Sequence, residues 1–569
     1  MRARASSTTA EDPGAAWLRE PANISAPPKA SRWATAVFLV FAAANSLIQI
    51  AWFWRYASHE INYDAISYIG IARHIVDGDL RASLHGYWSP LLSWCIASAF
   101  PFKHDLLFDA RVITILSFLL CLLLVYLLSL EYWCSKTTAA FSVLYFCLVR
   151  GMVALSVYFI GADFLFTATV LGYFILLLRC LRLPTFANWF KLGVIHGLAF
   201  LAKAFAMPWL SFCTVLASAL LHRSNYKRAA VCASAALIIP FVVWTAWGAT
   251  LAAKYGRFTS GYQTKWNLLS PEAQKIADMT ETSVVTDTSR SVDEYMVVDN
   301  MYPSSTLWST HLDLRPLINQ IIKKENKNFP EAIKQILILI TPAGPLAIIL
   351  ALRFLKNEGM TEEKIWAWIV ISSSIVSIFA YCMLVFDARY ILPIVPLLIV
   401  LSARYCWPTE SPAENHAVRL APAVLLVASI IFFNCYKTSP FRSIRRDYQT
   451  DVYRMAALLK GVPSCNRLIV LGRGPFPEHG VGWEAGMYAS YFAHCRMVGF
   501  SEKIPRSDET ELAVADINYL RPDAILFLGY YHSENGMALL NTLRDNAHYH
   551  LREFQQNQDR GQFGALLWK

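Results

Sequence analysis

Runs of about twenty apolar residues with almost no charge recur along this chain, most clearly at 34–54, 107–130, 163–178 and 227–250. A helix of that length spans the hydrocarbon core of a bilayer, about 30 Å thick, while satisfying its own backbone. Only 16% of the 569 residues are charged and 55% are hydrophobic. A soluble domain carries roughly 25% charge, and a disordered chain has far less apolar content. Both are excluded, and the sequence reads as a polytopic α-helical membrane protein. The net charge of +10 is no sign of a nucleic-acid partner, because Lys and Arg cluster beside the apolar runs, where topology explains them.

Eleven spans are expected, at 34–54, 107–130, 137–150, 163–182, 189–203, 205–222, 227–250, 333–354, 364–384, 391–403 and 418–435. The polar N-terminal segment 1–32 shows no cleavable signal peptide, so the first run serves as an uncleaved span. Arg2, Arg4, Arg19, Lys29 and Arg32 precede that span. Arg179, Arg182 and Lys191 share one short loop, Arg223, Lys227 and Arg228 another, and Arg353, Lys356 and Lys364 a third. With the N-terminus cytoplasmic, the eleven-span count places all of these loops inside. Loops 55–106 and 251–332 and the tail 436–569 then lie outside. Residues 88–102 are apolar but short, and are expected to dip into the bilayer without crossing it.

The tail alternates strand-like segments (467–472, 496–500, 522–529, 563–568) with helix-like ones (483–494, 508–519, 535–547). It reads as a small extracytoplasmic α/β domain. Of twelve cysteines, Cys465 and Cys495 lie in this polar part and form the plausible disulfide pair. Gly472-Arg473-Gly474 follows a strand, but Pro477 breaks the dinucleotide-binding pattern.

A few charges have no role in topology. In the first loop, Ile66, Ile69, Ala72, Ile75 and Val76 share one helical face, with Ser67, Arg73, His74 and Asp77 opposite. That pattern predicts a helix lying on the membrane surface. Asp64 opens it, either as a helix cap or as a functional carboxylate. At a helix N-terminus it is expected to keep a low pKa, able to accept a proton or bind a metal. Asp163 opens the apolar run FLFTATVLGYFILLL, where a carboxylate is costly. The span count puts it on the same side as Asp64. Lys203 and Arg389 fall near that outer face. Each either snorkels or pairs locally, Arg389 with Asp387, or the two together hold a phosphate.

The loop YDAISYIGIARHIVDGD followed by GYWSPLLSW resembles the first extracytoplasmic loop of the GT-C glycosyltransferases. The branch is the glycosyltransferase family 39-like one, which includes protein O-mannosyltransferases and the lipid A aminoarabinose transferase. GADFLF is similar to that family's second acidic site, GLAFLAKAFAMP to its lysine motif, and DARYILPIVPLL to its late Arg-Tyr element. The resemblance covers roughly residues 35–435 and implies transfer of a sugar from a polyprenyl-phosphate donor to an extracytoplasmic glycan, lipid or protein. It implies a GT-C type transmembrane domain over 33–435 in a bacterial plasma membrane. Asp64 would be the general base and Asp163 a second catalytic carboxylate. Lys203, Arg389 and Tyr390 would bind the donor phosphate, and Tyr63, Tyr68, Tyr87 and Trp88 the substrates. Direct displacement would invert the anomeric centre.

The chain departs from the pattern in two places. Tyr63-Asp64 stands where many relatives carry two adjacent acids, which weakens a metal assignment, and Ala204 replaces the glycine after the lysine. A divalent metal would fall to His59, Glu60 and His85. Two other readings compete: a transporter or flippase for lipid-linked sugar, and a non-catalytic assembly subunit. No internal repeat supports a transporter.

Overall fold

The computed structural model describes residues 29–57, 61–149, 151–256, 258–261, 328–334, 361–383, 387–406, 455–463, 465–471, 495–501, 521–528, 534–547, 549–557 and 562–568, with a few isolated residues between them. The first helices are α1 (Lys29–Ala57), α2 (Tyr63–Val76), α3 (Leu91–Lys103), α4 (Leu106–Trp133), α5 (Lys136–Leu148) and α6 (Met152–Tyr158). They continue through α7 (Asp163–Arg182), α8 (Phe186–Ala202), α9 (Ala206–Leu221) and α10 (Tyr226–Tyr255). Later come α11 (Glu362–Met383), a 3-10 turn (Ala388–Ile391) and α12 (Ile394–Cys406).

The helix starts are written into the sequence. Asp105 accepts from the backbone N–H of Leu107 and Phe108, Ser135 from Thr138, Thr185 from Asn188, and Asn225 from Arg228. Each short polar side chain satisfies an orphan donor at the head of α4, α5, α8 and α10. Small residues let helices close up. A Cβ on Gly193 of α8 would lie 2.5 Å from the Ala236 carbonyl of α10, so only glycine permits that approach.

Among the described residues, α1, α4, α7, α10 and α11 are long and apolar enough to cross a bilayer, and α5 and α6, bent by 58°, pass the same test only when taken together. Helices α3, α8, α9 and the start of α12 are apolar but shorter. The chain is a multi-pass membrane protein. The expected spans at 333–354, apart from 333 and 334, and 418–435 lie outside the described residues, as do 1–28 and most of loop 251–332.

The tail carries a five-stranded sheet of order β2-β1-β3-β5-β4. Its strands are β1 (Arg467–Leu471), β2 (Arg496–Ser501), β3 (Ala524–Phe527), β4 (His550–Asn557) and β5 (Gln562–Trp568). Strand β1 is parallel to β2 and β3, and β5 is antiparallel to β3 and β4. The period of two splits the apolar side chains cleanly. Leu468, Val470, Ala524, Leu526 and Leu566 join one core with α2 and α3. Ile469, Leu471, Ile525, Phe527 and Leu567 join another with Leu539, Leu540 and Leu543 of α13 (Glu534–Ala547). Strand β4 was not expected, because charged Arg552 and Glu553 break its apolar pattern. Of the helices expected at 483–494 and 508–519, only scattered residues are described, and Gly472-Arg473-Gly474 lies outside them.

One expectation is corrected by this packing. The first half of α2 is buried all round, Ser67 as well as Ile66 and Ile69, while Arg73 and His74 further along are half-buried and Asp77 is exposed. Helix α3 packs against it, and the Ser93 hydroxyl donates to the Tyr68 carbonyl. The tail sheet shares its core.

Candidate active site at the heads of α2 and α7

Asn62 stands at the N-cap of α2 but does not cap it. Its side chain instead donates to the Ile160 carbonyl and accepts from the Ile160 N–H, at 3.0 and 2.9 Å. This reciprocal pair stitches the head of α2 to the segment that leads into α7. Asp64, in the first turn of α2, and Asp163, the first residue of α7, therefore sit side by side. Neither is an N-cap.

Arg389 arrives from the 3-10 turn between α11 and α12. Asp387 caps that turn, accepting from the Arg389 N–H at 3.0 Å and from its Nε at 2.8 Å. The guanidinium is thus aimed outward from its own turn, and its Nη1 reaches Asp64 Oδ2 at 2.7 Å and Asp163 Oδ2 at 3.9 Å. Lys203 occupies the break between α8 and α9, and its Nζ bonds Asp163 Oδ1 at 2.6 Å. Arg389 thus pairs locally with Asp387, as one sequence reading had it, and also reaches Asp64 and Asp163.

Aromatic rings frame the cations. The Arg389 guanidinium lies 4.1 Å from the Phe159 ring centroid, and Lys203 Nζ lies 5.0 Å from that of Tyr390. Tyr390 stacks on Tyr381 at 4.7 Å. Ring faces stabilise cations and limit where a guanidinium can swing. Asp387 is 39% exposed and screened by water. The buried core of the cluster is then two carboxylates and two cations, a neutral set.

These groups line a cavity of about 480 Å³ that also includes Tyr68, His85, Tyr87, Trp88 and Ser89. Nine of the twelve residues named from sequence thus converge: Asp64, Asp163, Lys203, Arg389, Tyr390, Tyr68, Tyr87, Trp88 and His85. Tyr63 opens α2, but its side chain lies outside the described set, as do His59 and Glu60. Tyr381 and Phe159 were missed; aromatics inside apolar runs carry no signal that separates them from ordinary core.

The expected low pKa of Asp64 is also corrected. Burial pushes its carboxyl above the usual range, and the Arg389 guanidinium only partly opposes this. Tyr68, buried beside it, is pushed well above the ordinary tyrosine value and stays protonated.

Of the metal candidates, His85 has its Nδ1 engaged by its own loop, accepting the backbone N–H groups of Tyr87 and Trp88 at 3.0 and 3.2 Å. Among the described residues no three His, Cys, Asp or Glu side chains converge as metal ligands.

No protein-family profile matches the chain, and no curated protein matches it. Solved structures do. ArnT from Cupriavidus metallidurans superposes in its undecaprenyl phosphate-bound and apo crystal forms, each with TM-score 0.53 and 11% identity. The match covers 94% of this chain and 98% of that one. The fold is that of ArnT. At that identity the likeness is one of architecture, and it includes the tail: 94% coverage cannot be reached by the helical part alone. The motif order implied a GT-C type transmembrane domain over 33–435 and was silent on the tail; the four motif charges meet in one place.

Proposed function

We propose that this chain is an integral-membrane glycosyltransferase that moves a sugar from a polyprenyl-phosphate donor to an acceptor at the extracytoplasmic face. The observation that carries the reading is the Asp64–Arg389–Asp163–Lys203 network on the wall of a single cavity. The undecaprenyl phosphate bound by the ArnT crystal structure supports a polyprenyl-linked donor for a chain of the same fold.

The network suits the charge flow of such a transfer. A polyprenyl phosphosugar is a phosphodiester with one negative charge. When the acceptor oxygen attacks the anomeric carbon from the opposite side, the bond from that carbon to phosphate oxygen breaks and the configuration inverts. The phosphate leaves with two charges, and the acceptor proton passes to Asp64. One negative charge is lost at Asp64 as one is gained on the phosphate. Arg389 Nη1, now on Asp64, is the shared counterion that passes to the phosphate as this happens. Stabilisation is thereby placed where charge develops. Lys203 stays within reach of both Asp163 and the phosphate position. Burial of Asp64 raises its basicity toward the value a general base needs at neutral pH. Asp163 holds Lys203 and shares Arg389, so it orients the cations. The C-terminal segment, as an extracytoplasmic domain over 436–569, rests its sheet on α2 and recognises the acceptor.

The test is sugar transfer in membranes by the Asp64→Asn variant, with polyprenyl-phosphate-sugar donors and envelope acceptors supplied. Loss of transfer with donor binding retained supports the base. Full activity in that variant overturns it.

A further inference from the structure

The tail holds a pair of thiols that the transfer chemistry does not use. Cys465 lies two residues before β1 and Cys495 directly before β2. The two strands are parallel neighbours, with Arg467 opposite Arg496. That register sets Cys495 opposite Asn466, so Cys465 and Cys495 lie diagonally, one residue out of step, at the same end of adjacent strands. Neighbouring strands run about 4.8 Å apart and each residue rises about 3.3 Å, so the two Cα atoms are roughly 6 Å apart, within the separation that a disulfide accepts, about 4.4–6.8 Å. Their side chains are already in hydrogen-bond contact.

The approach of Cys465 is held in place. The Asp523 carboxylate accepts the N–H groups of Asn466 and Arg467, both at 2.9 Å, and the Asp523 N–H donates to the Arg467 carbonyl. The chain just after Cys465 is thus pinned to β3, and the thiol is ordered before any bond forms. Access is asymmetric: Cys495 is buried and Cys465 half-buried. The other described cysteines lie on or beside α3 to α11, remote from this sheet in sequence.

We propose that Cys465 and Cys495 form a disulfide that staples the head of β1 to the head of β2. Cys465 is the entry thiol. The hydrogen bond from Cys495 lowers its pKa below the usual thiol value, which raises the thiolate fraction. Its thiolate attacks a sulfur of a dithiol–disulfide oxidant of the extracytoplasmic compartment and expels that oxidant's other sulfur as a thiolate. Cys495, deprotonated, then attacks the Cys465 sulfur of the mixed disulfide and releases the oxidant's second thiolate. Two electrons pass to the oxidant and two protons are lost from the protein thiols.

The inference rests on the extracytoplasmic placement in the proposed function. Both cysteines pack into the same core as Ile61, Ala65 and Ile69 around α2, so the pair and Asp64 share one side of the membrane. A bridge closes a loop of roughly 30 residues, a length at which a crosslink constrains the unfolded chain appreciably. It would hold the sheet that backs α2.

The experiment uses the full-length protein in growing cells, quenched with acid and N-ethylmaleimide and digested with trypsin without reductant. Cleavage at Lys460, Arg467, Arg473 and Arg496 puts the two cysteines on separate peptides, 461–467 and 474–496. The expected product is one bridged species that a reductant splits into both peptides. In Cys465→Ser it disappears and the 474–496 peptide carries the maleimide. Persistence of the bridge in that variant overturns the assignment. Protease added to intact spheroplasts reads the side of the tail in parallel. Maleimide on both wild-type peptides with the tail cleaved overturns the disulfide alone. Maleimide on both with the tail protected overturns the placement with it. Sugar transfer, read separately through Asp64→Asn, is judged by neither result.

Discussion

The two ends of α7 carry the same chemistry in opposite settings. At its start, Asp163 meets Lys203 and Arg389, and the Asp64 and Asp163 side chains are 9% and 6% exposed. At its finish, Arg179 binds Glu131 of α4 at 2.8 Å and Arg182 binds Glu363 of α11 at 3.0 Å, with Arg179 51% exposed. Both ends follow the helix dipole, acid at the head and base at the tail. The exposed end ties three helices together in water, where an ion pair contributes about 0–1 kcal/mol. The buried end faces a cavity, where removing one partner strands a charge at a cost of about 3–5 kcal/mol. The difference separates charges that fix how the helices sit from charges gathered on the wall of a cavity.

The sharpest way to break that contrast is at Asp64. Asp64→Asn keeps the shape and removes the base, so transfer should fall by ~10²–10⁴-fold. Arg389 keeps Asp163 and Asp387 as partners, so the variant should still accumulate in membranes, at a lower yield than the parent chain. A loss smaller than tenfold, measured with saturating donor, would place the base elsewhere.

A smaller effect is expected from Arg389→Lys. Arg389 serves Asp387 through Nε and Asp64 through Nη1 while lying on Phe159. Lysine offers one point charge on a flexible stem and cannot divide its donors in that way. A charged hydrogen bond contributes about 1.5–3 kcal/mol, so binding of polyprenyl phosphate should weaken by roughly 10–100-fold. Titration of the purified variant with that lipid checks it, and unchanged binding would remove Arg389 from the phosphate.

The pH profile sharpens the same end. Asp64 acts when ionised, so the rate at saturating donor should fall as pH drops through its pKa, by about tenfold per unit well below it. Burial raises that pKa, so the acid limb should lie above the ordinary aspartate value of about 3.9. Arg389 lowers it, so Arg389→Gln should move the limb to higher pH. A limb that stays in place would show that Arg389 does not act on the titrating group.

Much of the buried end was readable from sequence because charge stands out in apolar surroundings. Asp64, Asp163, Lys203 and Arg389 each interrupt or border an apolar run, and the fold brings all four together. Phe159 and Tyr381 sit within such runs and look like any core aromatic until the cation or stacked ring beside them is seen. Asn62 has the residue type and place of a helix cap, yet it spends its side chain on Ile160. The surface-helix reading of α2 followed from a real polar face. The burial of its first half comes partly from a core shared with the tail sheet, a contact that local periodicity cannot encode. The strands were found where apolar residues cluster, at β1, β2, β3 and β5, and missed at β4, where the adjacent and exposed Arg552 and Glu553 break the pattern.

The smallest effect is expected at the far end of α7. Glu131→Gln removes the carboxylate that Arg179 grips through both Nε and Nη2, and leaves the Glu131 carbonyl that accepts from Arg182. Arg179 then returns to water, which screens it, and Arg182 keeps Glu363. Stability should change by less than about 1 kcal/mol, seen as a shift of a few degrees at most in the detergent-solubilised melting temperature. Sugar transfer should be unaffected, since no charge near the cavity moves. A large loss of transfer here would mean that strain travels along α7 from Glu131 to Asp163. The two ends would then be one coupled unit rather than a clamp and a site.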